Sequence, residues 1–136
     1  MGKAVQYRAE ILLFQADDGT IRLEVRMAGD TVWLTQAQMA ELFQTTVSNV
    51  NMHLRNIYAD AELREEATIK DFLIVRTEGE RKVRREVTFY NLDAIISVGY
   101  RVKSQRGTQF RIWATRRLRE YLVKGFTMDD ERLKRA

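Results

Sequence analysis

The sequence predicts an α+β domain, helix-turn-helix or winged-helix-like, with an N-terminal β-hairpin and a long C-terminal helix. Three observations predict it. Asp18-Gly19 separates two apolar runs, the second strictly alternating. Two short capped segments with helical spacing follow, over 36–43 and 47–58. A basic hairpin and two further helical patterns complete the chain. At 136 residues the chain fits one core, expected over 1–127, with 128–136 as a charged tail or the start of a linker.

The first strand is expected from Tyr7 to Gln15 and the second over Ile21–Arg26. In the second, Ile21, Leu23 and Val25 share one face and Arg22, Glu24 and Arg26 the other. Gly29-Asp30 turns the chain into a short strand, Thr31–Leu34. Thr35 with Gln38 spells a capping box, so a helix opens there and runs to Phe43. Gln44-Thr45-Thr46 is a tight turn whose threonines cap a second helix. That helix carries Val47, Val50, Leu54, Ile57 and Tyr58 as one apolar stripe.

Asp60 to Lys70 reads as a short helix or a loop. Asp71–Arg76 and Arg81–Tyr90 form a second hairpin around Thr77–Glu80. Asn91 caps a third helix to about Tyr100. Arg101 to Gly107 reads as a basic loop, and Thr108 as the cap of a last helix over Gln109–Lys124. Phe110, Trp113, Ala114, Leu118, Tyr121 and Leu122 are its core stripe, and Gly125 its left-handed C-cap.

Charge is unevenly spread. Residues 1–75 hold 7 Lys+Arg and 11 Asp+Glu, a net −4, whereas 76–124 hold 13 and 5, a net +8. A basic half points to an anionic partner or to a solvated face. Two capped helices joined by a tight turn describe a helix-turn-helix, whose second helix enters the DNA major groove. Gln36, Ala40, Phe43 and Val50 match its spacing. Gln44 departs from it, standing where the turn usually has Gly, and so does His53, where an aliphatic is usual. Opposite the apolar stripe lie Ser48, Asn51, Met52 and Arg55, flanked by Asn49 and Asn56. Asn pairs with adenine and Arg with guanine, so Ser48, Asn49, Asn51, Met52 and Arg55 are the candidate base readers. Ser48 and Asn49 also suit a first helical turn for purely local reasons.

A winged helix sets a basic hairpin beside its reading helix. Arg76, Arg81, Lys82, Arg84 and Arg85 fit phosphate contacts, which position without specifying sequence. Lys103, Arg106 and Arg111 are a second anion-binding candidate near a helix start. Alternatively, Arg101 and Arg111 pair with Glu86 or Asp93 and orient the last helix.

Enzyme readings fail on residue supply. There is no Cys and no Pro, and His53 is the one histidine. No G-x-S-x-G, P-loop or dinucleotide fingerprint occurs. Glu65-Glu66 reads as a solvated surface, and no spacing supports a carboxylate metal site from Asp60, Glu62 and Asp71. No enzyme activity, cofactor, metal or small-molecule substrate is expected. No apolar run reaches the roughly 20 residues of a membrane span. The expected setting is cytoplasmic and the expected partner double-stranded DNA, with a homodimer as one arrangement.

Two blocks carry a family resemblance. Thr31-Val32-Trp33-Leu34-Thr35-Gln36-Ala37-Gln38-Met39-Ala40-Glu41-Leu42-Phe43-Gln44-Thr45-Thr46 is the first, and the run from Tyr90-Asn91-Leu92-Asp93 to Phe110-Arg111-Ile112-Trp113-Ala114-Thr115 the second. Together they resemble the bacterial RhuM family, named after a virulence protein of a pathogenicity island. The resemblance implies a DNA-binding, mobile-element-associated protein, distantly similar to phage antirepressor N-terminal domains. Members of that family are usually longer, with a further C-terminal region that would begin where this sequence stops, so the resemblance implies either a piece of a longer protein or a naturally short member.

Two functions from different classes follow. The leading one is sequence-reading DNA binding, as a transcriptional regulator or mobile-element protein. The alternative is a protein-interaction adaptor that tethers a partner or a separate effector. Exposed apolar patches around Trp33 and Trp113 would favour the alternative.

Overall fold

The structure, a computed structural model, describes residues 10–135, with side chains described through residue 122. The start of the expected first strand, 7–9, lies outside the described residues. Strand β1 (Glu10–Gln15) pairs antiparallel with β2 (Arg22–Ala28), Gln15 opposite Arg22. The turn is built as the sequence predicts. Gly19 takes φ +72°, and the Asp18 carboxylate accepts from the Thr20 amide at 3.0 Å and its hydroxyl at 2.7 Å. Strand β3 (Thr31–Leu34) follows the Gly29 turn and pairs with β2.

Helix α1 (Gln36–Phe43) has both halves of the Thr35/Gln38 capping box. Helix α2 (Val47–Ala59) starts on Thr46, whose hydroxyl accepts from the Asn49 amide at 3.0 Å. Helix α3 (Glu65–Thr68) is a single turn, and strands β4 (Ile69–Glu78) and β5 (Arg81–Asn91) form a long hairpin closed at Gly79-Glu80. Helices α4 (Leu92–Val102) and α5 (Gln105–Arg135) complete the chain.

The two expected hairpins are one sheet. Trp33 pairs with Asn91 and Leu34 with Tyr90, giving the antiparallel order β1-β2-β3-β5-β4. The free edge of β3 and the base of β5 satisfy each other's backbone groups. The fold is thus mixed α+β, five strands and five helices among the described residues.

Alternation sorts the side chains onto two faces. Leu23, Val25, Val32, Leu34 and Tyr90 pack with Met39, Leu42, Val50, Leu54, Ile57, Ile95, Val98 and Phe110 in the main core. Ala28, Trp33, Phe72 and Phe89 form a second cluster. Register places it on the opposite face, where the Arg26 guanidinium lies 5.3 Å from both phenyl centroids.

Several expectations are corrected. Val47, expected in the stripe, is 48% exposed: it is the first residue of α2, and helical side chains lean toward the N-terminus, past the end of the packed body. Tyr121 and Leu122, expected in the core, are exposed. Helix α5 runs on through Gly125 to Arg135, so this glycine caps nothing and the 127 boundary falls within a helix. The basic loop 101–107 shrinks to Lys103-Ser104, since α4 reaches Val102 and α5 begins at Gln105. Thr108 therefore lies inside the helix it was expected to cap.

Candidate nucleic-acid interface

Between α1 and α2 the chain turns on a left-handed residue. Gln44, which stands where a glycine is usual, has φ 55°. The Thr45 amide donates to Ala40 O at 2.9 Å and the Gln44 amide to Glu41 O at 3.3 Å, the two bonds of a Schellman end. This turn lays α2 against α1 with Val50, Leu54 and Ile57 buried.

The opposite side of α2 presents Ser48, Met52, Arg55 and Asn56 to solvent. Asn51 is half-buried at the rim of that face, its amide donating to Gln36 Oε1 at 3.3 Å. Gln36 in turn donates to the Tyr90 hydroxyl at 2.8 Å. Asn49 turns back into the turn, donating to the Thr45 hydroxyl at 2.8 Å. The local reading thus holds for Asn49, and four of the five candidate base readers share a face.

The hairpin cations split between two faces. By register Arg76, Arg81 and Arg85 lie on the side of Phe72 and Phe89, whereas Lys82 and Arg84 lie on the side of Tyr90, toward the helices. All five are exposed. Arg85 pairs with Glu78 at 3.2 Å. The other four enter no ion pair among the described residues. Arg81 sits beside the Gly79-Glu80 tip, nine residues from Tyr90 and thus roughly 30 Å along the strand.

The third group is rearranged. Arg106, expected in a solvent loop, is 8% exposed. Its guanidinium turns inward to Thr20 Oγ1 and to Asp18 at 3.5 Å. It clamps α5 to the first hairpin and is removed from the phosphate candidates. Arg101 pairs with Asp60 at 3.3 Å and Glu62 at 3.2 Å, not with Glu86 or Asp93. Lys103 and Arg111 together line an open cleft of about 220 Å³ with Ser104, Thr108 and Tyr100.

Asp60 and Glu62 bind Arg101, whereas Asp71 accepts from the Thr88 hydroxyl at 2.8 Å, so these carboxylates do not converge. No cluster of three or more metal-ligating side chains occurs among the described residues. Among those residues no helix is long and apolar enough to cross a membrane.

The sequence profile described as the Virulence protein RhuM family matches residues 67–136, more than half of the chain. The chain belongs to the RhuM family. The matched segment runs from the end of α3 through the hairpin, α4 and α5. The RhuM match therefore includes the second resembling block and leaves the first, with α1 and α2, outside it. No curated protein and no solved structure matches the chain.

Sequence reasoning left Gln36 and Tyr90 out of the site. Gln36 had a signal, since it stands at the spacing of the two-helix motif. Tyr90 had none, because its hydroxyl reaches Gln36 only through the β3–β5 pairing.

Proposed function

We propose that this RhuM-family protein binds duplex DNA and acts as a regulator of transcription or of a mobile element. In this reading α1, the Gln44 turn and α2 are a helix-turn-helix. Helix α2 enters the major groove, and the β4–β5 hairpin is a wing-like arm that meets phosphates. One observation carries it: behind a left-handed turn, α2 buries Val50, Leu54 and Ile57 on one side and presents Ser48, Met52 and Arg55 to solvent on the other. Ser and Arg on an exposed helix face are groups that read base edges. Lys82 and Arg84, on the helix side of the hairpin, suit the phosphates of the same duplex.

For the adaptor alternative, neither tryptophan is itself among the exposed large apolar residues, although Ile112 beside Trp113 is exposed. Trp33 is buried and its indole donates to Ala28 O at 3.0 Å. Trp113 is partly buried against Phe14 and Phe110.

Fluorescence anisotropy with random duplex at two salt concentrations tests the reading. Binding that weakens steeply with salt is the expected result. Absence of binding at low salt overturns it. Selection from a randomised duplex pool then reads sequence preference.

A further inference from the structure

Three side chains from three elements form one hydrogen-bonded row. Asn51 of α2 donates to Gln36 Oε1 at 3.3 Å, and Gln36 of α1 donates to the Tyr90 hydroxyl of β5 at 2.8 Å. Tyr90 is 8% exposed and pairs with Leu34 in the sheet, so the anchor of the row is fixed in the core. Gln36 and Asn51 are half-buried, at the edge of the face that α2 presents to solvent.

We infer that Gln36 is a positioning residue that holds the Asn51 amide ready for an A·T base pair. This inference rests on the DNA-binding reading above. In this row the Gln36 NH₂ group donates to the Tyr90 hydroxyl and Oε1 faces α2. Asn51 must then offer an N–H to Gln36, because the reverse amide orientation would set two carbonyl oxygens against each other. One Asn51 N–H is thereby used. What remains for a ligand is Oδ1 as acceptor and the second N–H as donor. Adenine presents the matching pair in the major groove, the N6 amino donor and the N7 acceptor. Guanine presents two acceptors there, so one of them would meet Oδ1. An amide already held in its reading orientation loses less rotational freedom on binding, and preorganisation of this kind favours affinity.

A purely structural row would tie α1, α2 and β5 together without touching base preference. The two roles separate in one experiment on the whole chain. A site is first selected from a randomised duplex pool, and each of its base pairs is then replaced in turn. Discrimination at every position is measured by anisotropy for the wild type and for Asn51→Ala, Gln36→Ala, Gln36→Glu and Tyr90→Phe.

The expected result is that Asn51→Ala loses discrimination at one A·T pair, by roughly fivefold to a hundredfold. Tyr90→Phe and Gln36→Ala lose part of it at that same pair, about threefold or more, and leave binding to random duplex unchanged. Neither adds to the loss when combined with Asn51→Ala. Gln36→Glu keeps an acceptor for Asn51 and so keeps the preference, while its added charge weakens binding to every duplex alike.

Tyr90→Phe and Gln36→Ala variants that discriminate like the wild type at the Asn51 pair overturn the inference. So does a loss spread equally over selected and random duplex, or an Asn51→Ala variant with unaltered preference. A pool that enriches no sequence overturns the inference as well, whereas a chain that binds no duplex overturns the DNA reading itself. Tyr90→Phe removes one hydroxyl from an otherwise retained ring, and circular dichroism of that variant separates lost positioning from lost fold.

Discussion

Gly99 and Gly107 meet where α4 packs on α5: a Cβ built on Gly107 would stand 3.5 Å from the Gly99 Cα and 3.3 Å from the Phe43 ring. A Cβ on Gly99 would stand 3.3 Å from the same ring. Phe43 is 6% exposed, so the ring has little room to yield. Alanine at either position gains about 1 kcal/mol of helix propensity but overpacks the contact at a cost of about 1–3 kcal/mol. Gly107→Ala is expected to lower stability by about 1 kcal/mol, read as a lower urea midpoint at constant slope. A midpoint that rises would show that Phe43 moves aside.

Gln44 holds a left-handed conformation at φ 55°. That conformation costs a non-glycine residue about 1–2 kcal/mol, and the greater unfolded-state freedom of glycine returns about 0.5–1 kcal/mol of this. Gln44→Gly is therefore expected to stabilise the protein by about 0.5–1 kcal/mol. Thermal melting checks it, since the side chain is exposed and its loss removes no core contact.

Hydrogen bonds from the Thr20 hydroxyl and amide hold the Asp18 carboxyl below its ordinary pKa, with the Arg106 charge adding to the effect. A carboxyl depressed in the folded state stabilises the protein above its unfolded pKa. That contribution is lost as pH falls through the folded value. Stability of the wild type should thus fall more steeply than that of Asp18→Asn between about pH 5 and pH 2. By NMR, Thr20→Val and Arg106→Gln should each raise the Asp18 midpoint, because the threonine hydroxyl and the Arg106 guanidinium both favour the charged carboxylate.

The hairpin faces give a paired comparison. If DNA lies on the helix side, Lys82→Ala with Arg84→Ala should flatten the log–log salt slope by about 0.9 per lost contact. Arg76→Ala with Arg81→Ala, on the other face, should leave that slope nearly unchanged. Equal effects of the two pairs would mean that the duplex meets the tip of the hairpin rather than one face.

Local chemistry was legible and non-local chemistry was not. Thr35 with Gln38 and Asp18 with Gly19 announce their structures within a few residues, and both appear as read. The end of α4 was hidden because its left-handed residue is Lys103, at φ 53°, where a glycine would have marked it. Gly107 misled in the opposite direction. It serves close helix packing and not a turn, and a lone glycine does not say which. Arg106 reads from the sequence as a solvent cation, because composition does not show which cations turn inward to an acidic turn. The outward face of α2 was largely readable from helical period. The joining of both hairpins into one sheet rests on Trp33–Asn91 and Leu34–Tyr90, pairs too distant in sequence to leave a local pattern.

The division of the apolar residues between two sides of the sheet also gives the protein two separate optical reporters. Trp113 packs with Phe14 and Phe110 on the helix side, whereas Trp33 lies against Phe72, with the Lys70 ammonium 5.7 Å from its ring. Emission from a Trp33→Phe variant therefore follows one side alone, and that from Trp113→Phe the other. Strand β3 sends Val32 and Leu34 one way and Trp33 the other, so neither side can melt without dismantling a strand that the other needs. The two emission signals should accordingly trace a single transition in urea.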